Sequence, residues 1–248
     1  MPLKEEMERQ GQWLFRWRSY LPLLLLPILI LALINSGGIE RIFGAAVGTI
    51  WTALSITVSL IGLAIRCLTI GYAEKGTSGR NTEQQKADAL NTTGMYSIVR
   101  HPLYLGNFLV LLGFLLFVEV WWFVIIAVLA FWLYYERIMV TEEGFLLEQF
   151  GDQYLEWANR TPAFLPRFAG WQKPQLSFSY KKMLRKEDST LLMIVLSFTF
   201  LGLAGDLLSG TRVDFDTAWI APIAIGIAIS LMIRIIRKST RLLATEDR

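Results

Sequence analysis

The sequence predicts an all-α integral membrane protein with about six transmembrane helices, both termini cytoplasmic, plus a cytoplasmic amphipathic helix. Three observations carry that expectation. First, 54% of the 248 residues are hydrophobic and only 18% charged, on either side of soluble averages. Second, apolar runs fill positions 21–34, 42–65, 103–118, 120–135, 191–203 (extending to 208) and 218–233. Several approach the ~20 residues that a helix needs to cross hydrocarbon, and backbone polar groups bare in lipid force such runs to be helical. Third, the segments between runs alternate in charge, one set holding 22 of the 24 Lys/Arg and the other 2. That is the positive-inside asymmetry, which places both termini and the two long loops in the cytoplasm.

The elements follow in order. A charged lead over residues 1–19 precedes the first run, and Trp13, Trp17 and Tyr20 suit an interfacial anchor, so no cleavable signal is expected. Gly44 and Gly48 have the small-xxx-small spacing of helix–helix contact. The single Cys67 cannot form an internal disulfide and reads as an interfacial thiol. Residues 66–101, rich in Gly, Ser, Thr and Asn, read as a loop with turns. The hairpin around Glu119 is so short that the helices either side must be antiparallel neighbours. The end of the first loop and the start of the second polar segment, 136–167, therefore emerge side by side.

Within that second segment Met139, Leu146, Leu147, Phe150, Tyr154 and Trp157 recur at three- and four-residue spacing. Glu143 falls on this apolar stripe, where a carboxylate is costly without a partner; Glu142, Glu148, Asp152 and Glu156 lie on or near the polar side. The chain divides into an N-terminal interfacial segment with the first helix (1–44), a core (45–168) and a two-helix extension (169–248). Gly202, Gly205 and Asp206 mark close packing near the end of the fifth run.

Several chemistries are excluded. No two glycines are separated by a single residue and no Gly-Lys pair occurs, which removes the dinucleotide fingerprint and the P-loop. One His and one Cys cannot build a His/Cys zinc site, and no metal ligand set is expected. A Gly-x-Ser-x-Gly elbow is absent. The small net charge of +3 gives no argument for nucleic acid. The middles of the apolar runs lack the ionisable residues that pumps and coupled transporters use.

The lone imidazole stands in Val99-Arg100-His101-Pro102-Leu103-Tyr104-Leu105-Gly106, at the doorstep of the third run. Pro102 suits the first turn of a helix. The amides of that turn and the helix dipole attract negative charge, and Arg100 and His101 add donors there. The blander reading is a basic pair that anchors the helix at the interface.

The wider pattern is Gly94-Met95-Tyr96, then Arg100-His101-Pro102-Leu103-Tyr104-Leu105-Gly106, a hairpin, and Glu142-Glu143-x-x-Leu146-x-x-x-Phe150-Gly151-x-x-Tyr154. It resembles the isoprenylcysteine carboxyl methyltransferase and phospholipid methyltransferase superfamily over roughly residues 45–168. The resemblance implies S-adenosylmethionine as cofactor, held in a cytoplasmic pocket, and a lipid or isoprenoid-bearing acceptor arriving from the bilayer. By position it implies that Tyr96, His101, Pro102, Leu103 and Tyr104 line or shape the cofactor pocket, with Asp88, Ala89, Leu90 and Asn91 at its edge. Glu142 and Glu143 match an acidic pair that holds polar groups of the cofactor, and Arg137 is the candidate for an arginine placed near the substrate. Arg100 and His101 are the further candidates for the reaction.

The residue chemistry agrees. S-adenosylmethionine carries a sulfonium, an ammonium and a carboxylate; carboxylates suit the cations, and Tyr96 and Tyr104 offer cation–π faces. An anionic acceptor needs no general base, so positioning and water exclusion supply most of the rate; an amine acceptor would need a proton removed, for which His101 is suited. The 75–82 loop (Lys-Gly-Thr-Ser-Gly-Arg-Asn-Thr) has the turns, hydroxyls and cations for a phosphate head group. It resembles family versions acting on bacterial lipid head groups, lipid A phosphate among them, and implies a bacterial cytoplasmic membrane. The rival readings are a sterol- or steroid-reductase-like enzyme using NADPH, which would want more basic residues and less acidity than Glu142-Glu143, and a non-catalytic scaffold or transporter.

Overall fold

The computed structural model describes residues 3–17, 20–74, 87–209 and 217–239; the 75–82 loop read as a phosphate seat lies outside them. Nine α-helices occur among the described residues: α1 (Leu3–Trp17), α2 (Leu26–Ile34), α3 (Gly38–Phe43), α4 (Ala45–Tyr72), α5 (Pro102–Val118), α6 (Trp121–Phe150), α7 (Asp152–Arg160), α8 (Tyr180–Ser209) and α9 (Thr217–Ser239). The described residues contain no strand. Four spans are long and apolar enough to cross a membrane: Leu23–Phe43, Ala45–Tyr72, Trp121–Phe150 and Tyr180–Leu208. Two apolar helices are shorter, Pro102–Val118 and Ala224–Ile235. Side chains turned outward along these helices are apolar, including Leu54, Ile61 and Leu68 on α4 and Ile125, Leu129 and Leu133 on α6. Such faces are stable only against lipid or protein. The molecule is an integral membrane protein.

The first apolar run does not form one regular helix. Pro22 and Pro27 lack the amide that a continuous helix uses, and the run divides into a 3₁₀ turn (Leu21–Leu25) followed by α2. Gly44, read from the sequence as half of a helix-contact motif, is instead the break between α3 and α4, with φ 88°. Gly48 does make a contact: a Cβ there would stand 2.9 Å from Cβ of Glu40 on α3.

α4 and α5 are the most intimate pair, and their seam explains the pattern of small residues. Gly48, Ser55, Ser59 and Gly62 are buried on α4; Gly106 and Gly113 are buried on α5. A Cβ on Gly62 would lie 2.6 Å from the Gly106 carbonyl. Ser59 Oγ donates to the Val110 carbonyl at 2.9 Å, and Trp51 Nε1 to the Leu116 carbonyl at 2.8 Å. Small side chains let two helices approach in lipid, where hydrophobicity alone does not drive them together.

A two-residue turn reverses α5 into α6. Glu119 takes the left-handed conformation there (φ 63°), and its Oε2 accepts the Ile39 amide of α3 at 2.8 Å. α6 then runs unbroken for 30 residues to Phe150. The cytoplasmic amphipathic helix read from residue 136 onward is thus a continuation of the apolar helix, broken only at Gly151 (φ 52°) before α7. α1 lies against the outer side of this continuation, with Gly11 at the Arg137 carbonyl and Thr141 Oγ1 bonded to the Glu8 carbonyl at 3.1 Å. α8 packs against α4 and α5; Phe198 meets Phe114 and Phe117, and Ile194 joins Val110 in one buried cluster. The segment from residue 169 thus shares its core with the segment before it.

Candidate active site

The site is assembled where the N-terminus of α5 meets the polar continuation of α6. Residues 94–101 approach it as a tight strap. A 3₁₀ turn (Gly94–Ser97) begins at Gly94, whose φ of 60° suits glycine. The strap is held by the segment after α7: the Arg100 amide donates to the Pro162 carbonyl at 2.9 Å, the His101 amide to Ala163 at 3.2 Å, and the Arg167 amide to Ile98 at 2.9 Å. Trp157 Nε1 donates to the Tyr96 carbonyl at 3.0 Å. Val99 and Ile98 are buried beneath. Pro102 then starts α5 at its first position, as the residue's fixed φ favours.

Against this strap α6 presents its two adjacent carboxylates. His101, buried, places Nε2 2.9 Å from Glu143 Oε1 and Nδ1 3.7 Å from Glu142 Oε2. The Tyr104 hydroxyl donates to Glu142 Oε1. Arg100 Nε lies 3.3 Å from Glu143 Oε1, an ion-pair separation without hydrogen-bond alignment. The rings of His101 and Tyr104 stack at 5.7 Å, and Tyr104 rests on Tyr135 at 4.7 Å. The carboxylates remain reachable, with 27% and 25% of the Glu142 and Glu143 side chains exposed. Tyr154 from α7 is buried beside the Glu143–Arg100 pair with its hydroxyl unbonded; burial and then the Glu143 charge push its phenol upward from the ordinary tyrosine value. Tyr96 is raised too, by burial and then by Glu142.

The structure therefore brings together Tyr96, Arg100, His101, Pro102, Tyr104, Glu142 and Glu143. Leu103 stands in the same first turn, half-buried. In the 88–91 stretch the Asn91 side chain accepts the Glu74 amide at 3.5 Å, and the preceding Ala87 carbonyl accepts from Gln149 near the end of α6. Arg137 is not part of the cluster. Its Nε donates to Gln10 of α1 at 2.7 Å and its Nη1 to the Leu133 carbonyl at 2.8 Å, on the flank of α6 that carries Thr141. Several of the amides about the helix start, expected to stand open, are also engaged. Those of Arg100 and His101 bond to the 162–163 carbonyls, and those of Tyr104 and Leu105 to the His101 carbonyl.

Two further groups escaped the sequence reading. Tyr135 and Asn107 lie directly under Tyr104, with Asn107 Nδ2 donating to the Tyr135 hydroxyl at 3.1 Å. Arg66 reaches Asn107 from α4 and is bound on its other side by Glu187 of α8, at 2.8 and 2.6 Å. Among the described residues no group of three or more His, Cys, Asp or Glu is arranged to hold a metal ion.

The fold and site thus define a helical membrane protein whose polar cup, rich in carboxylate and aromatic groups, opens at one end of the α5–α6 hairpin. Residues 46–153, which contain that hairpin and cup, match the phospholipid methyltransferase family. The match takes in 108 of the 248 residues, so the likeness is of this core. Among curated relatives, the cobalt-zinc-cadmium resistance protein CzcN of Cupriavidus metallidurans is 35% identical over 122 residues, 49% of this chain and 54% of its own length. The nickel-cobalt-cadmium resistance protein NccN of Alcaligenes xylosoxydans is 34% identical over 118 residues, 48% and 53% of the two chains. The protein-S-isoprenylcysteine O-methyltransferase of Schizosaccharomyces pombe is 31% identical over 85 residues, 34% and 36%. The chain spans about half the length of the first two relatives it matches. No solved structure matches.

Proposed function

We propose that the chain is an integral membrane methyltransferase that takes a methyl group from S-adenosylmethionine and gives it to an anionic oxygen, carboxylate or phosphate, on a lipid or isoprenoid-linked acceptor. The observation that supports this reading most is the meeting of the Arg100–Tyr104 turn with Glu142 and Glu143 in one reachable cup. In this reading the chain crosses the membrane six times, using the two shorter apolar helices as well as the four long ones, and the cup faces the cytoplasm of a bacterial inner membrane. The acceptor enters from the bilayer.

The residues present fit the cofactor. Adjacent carboxylates that are a quarter exposed suit an ammonium, a sulfonium or ribose hydroxyls; Tyr96 and Tyr104 place aromatic faces beside them. The buried, unbonded Tyr154 hydroxyl adds a donor at the Glu143–Arg100 end. Bound there, S-adenosylmethionine supplies an electrophilic methyl group that an anionic oxygen takes by in-line displacement. The protein's part is then positional. His101 orients Glu143 through Nε2, Tyr104 fixes Glu142, and the strap at 94–101 with the 162–167 segment closes the cup against water. With an anionic acceptor no proton has to be removed, which accords with a cup that holds one imidazole and no nucleophile–base pair.

Purified protein in detergent, titrated by calorimetry with S-adenosylmethionine and separately with NADPH, tests the reading. Binding of the first and not the second is expected; the reverse result would assign a reductase. A lipid extract incubated with methyl-labelled cofactor, followed by mass analysis, then identifies the acceptor.

A further inference from the structure

Beneath the cup a second set of polar groups runs down between α4, α5, α6 and α8. Asn107 lies six residues beyond His101 along α5, about 9 Å deeper at the rise of an α-helix. Here Arg66, with 13% of its side chain exposed, is clamped by both oxygens of Glu187, whose side chain is 3% exposed. Arg66 also donates to Asn107, Asn107 to Tyr135, and the Tyr135 ring supports Tyr104, whose hydroxyl holds Glu142. The chain of contacts is continuous from α8, through α4 and α5, to the carboxylate of the cup on α6. Glu187 lies outside residues 46–153. Charges this buried are costly unless they are paired and hydrogen-bonded, as these are.

The next residue on α8 makes an informative contrast. Asp188 is equally buried, and its carboxylate meets Arg234 of α9 at 3.4 Å, an arginine that is 46% exposed. Helical geometry turns neighbouring side chains ~100° apart, so the two carboxylates of one helix face different partners. Only Glu187 looks toward the groups beneath the cup.

We propose that Glu187 is a positioning residue of the cofactor cup, acting through Arg66, Asn107 and Tyr135 to hold Tyr104 against Glu142. The C-terminal extension then contributes to the site as well as to the fold. Removing the Glu187 charge releases the guanidinium to turn toward the nearest remaining acceptors, Asn107 and the Tyr135 hydroxyl. Tyr104 loses its support, and Glu142 its fixed orientation. Because partly satisfied polar networks couple their members strongly, the effect reaches the cup although Glu187 does not touch it.

This inference rests on the cup being the site for S-adenosylmethionine, and the test separates the two. Calorimetric titration with S-adenosylmethionine is carried out on the full chain, on Glu187→Gln, on Tyr135→Phe, on the two combined, and on Asp188→Asn. Glu187→Gln and Tyr135→Phe are each expected to raise the dissociation constant, by about tenfold for the first and severalfold for the second, with a combined effect smaller than the product of the two. Glu187→Asp, which keeps the charge, is expected to recover most of the loss. Asp188→Asn is expected to bind as the unaltered chain does. Should Glu187→Gln fail to fold, Tyr135→Phe removes one hydroxyl only and carries the test: unchanged binding overturns the positioning role. So does a loss with Asp188→Asn as large as that with Glu187→Gln, because the effect would then come from α8 as a whole. Failure of the unaltered chain to bind S-adenosylmethionine overturns the cup and the inference together.

Discussion

Two neighbouring carboxylate pairs, Glu142-Glu143 on α6 and Glu187-Asp188 on α8, look alike in sequence and are opposites in structure. In the second pair each carboxylate has its own arginine: Glu187 takes Arg66 and Asp188 takes Arg234. Both side chains are 3% exposed. In the first pair the two carboxylates share one imidazole, and about a quarter of each side chain is open. One-to-one pairing under the surface ties helices together, whereas shared partners at an open mouth leave acceptor capacity for something else. The difference teaches that adjacency of acidic residues says little by itself. What separates recognition from scaffolding is how many partners converge and whether the group can be reached.

The comparison breaks most visibly at Arg66. Arg66→Ala leaves Glu187 buried and unpaired, and is expected to cost about 3–5 kcal/mol of stability, read by thermal unfolding in detergent. A small change there would mean that the deep pair does not clamp the helices. At the open pair the effect moves from stability to binding. Glu142→Ala and Glu143→Ala are each expected to weaken S-adenosylmethionine binding by about ten- to a hundredfold, the worth of a charge-assisted hydrogen bond, with the unfolding temperature little altered. A large stability loss with unchanged binding would make this pair a second clamp. Asp188→Asn sharpens the contrast at lower amplitude: with its arginine half in water, about 1 kcal/mol of stability is expected to be lost.

The smallest effect concerns Tyr154. Its hydroxyl is buried without a bond, so Tyr154→Phe is expected to change stability near neutral pH by less than about 1 kcal/mol. Alkaline behaviour should differ. The folded phenol is raised, burial being the main cause, so above about pH 10 the unfolded chain releases the proton first and stability falls as pH rises. Tyr154→Phe removes this contribution and is expected to flatten the alkaline limb of an unfolding-against-pH curve. An unchanged limb would show that the phenol is not buried in solution.

Much of this arrangement was legible in the residues, and the limits are specific. The two-residue hairpin at Glu119 forces α5 and α6 side by side, which is enough to bring the His101 turn and the Glu142-Glu143 pair to the same end. The apolar stripe placed Glu143 on an inward face, where His101 meets it. Only the resemblance implies Arg137 as a substrate arginine, and five residues on a helix put it ~140° away from Glu142 at ~100° per residue; it faces α1 instead. Arg66 and Glu187 carry no local signal. Their pairing, 121 residues apart, depends on the close approach of α4 and α5 at Gly62 and Gly106 and on α8 returning to the same layer. Helix count was harder still, because α5, at 17 residues, is shorter than the ~20 of a full span and the first run breaks at its prolines.

The central claim is that the Arg100 turn and the Glu142-Glu143 pair form a single cup on one side of the membrane that closes around a methyl donor. With Cys67→Ser as background, single cysteines at Arg100→Cys and Glu142→Cys are labelled by a membrane-impermeant thiol reagent in oriented vesicles, with and without S-adenosylmethionine at a concentration that saturates each weakened variant. Labelling of both from the same side, slowed in both by the cofactor, is the expected result. Labelling from opposite sides would contradict the claim, as would same-side labelling to which the cofactor makes no difference.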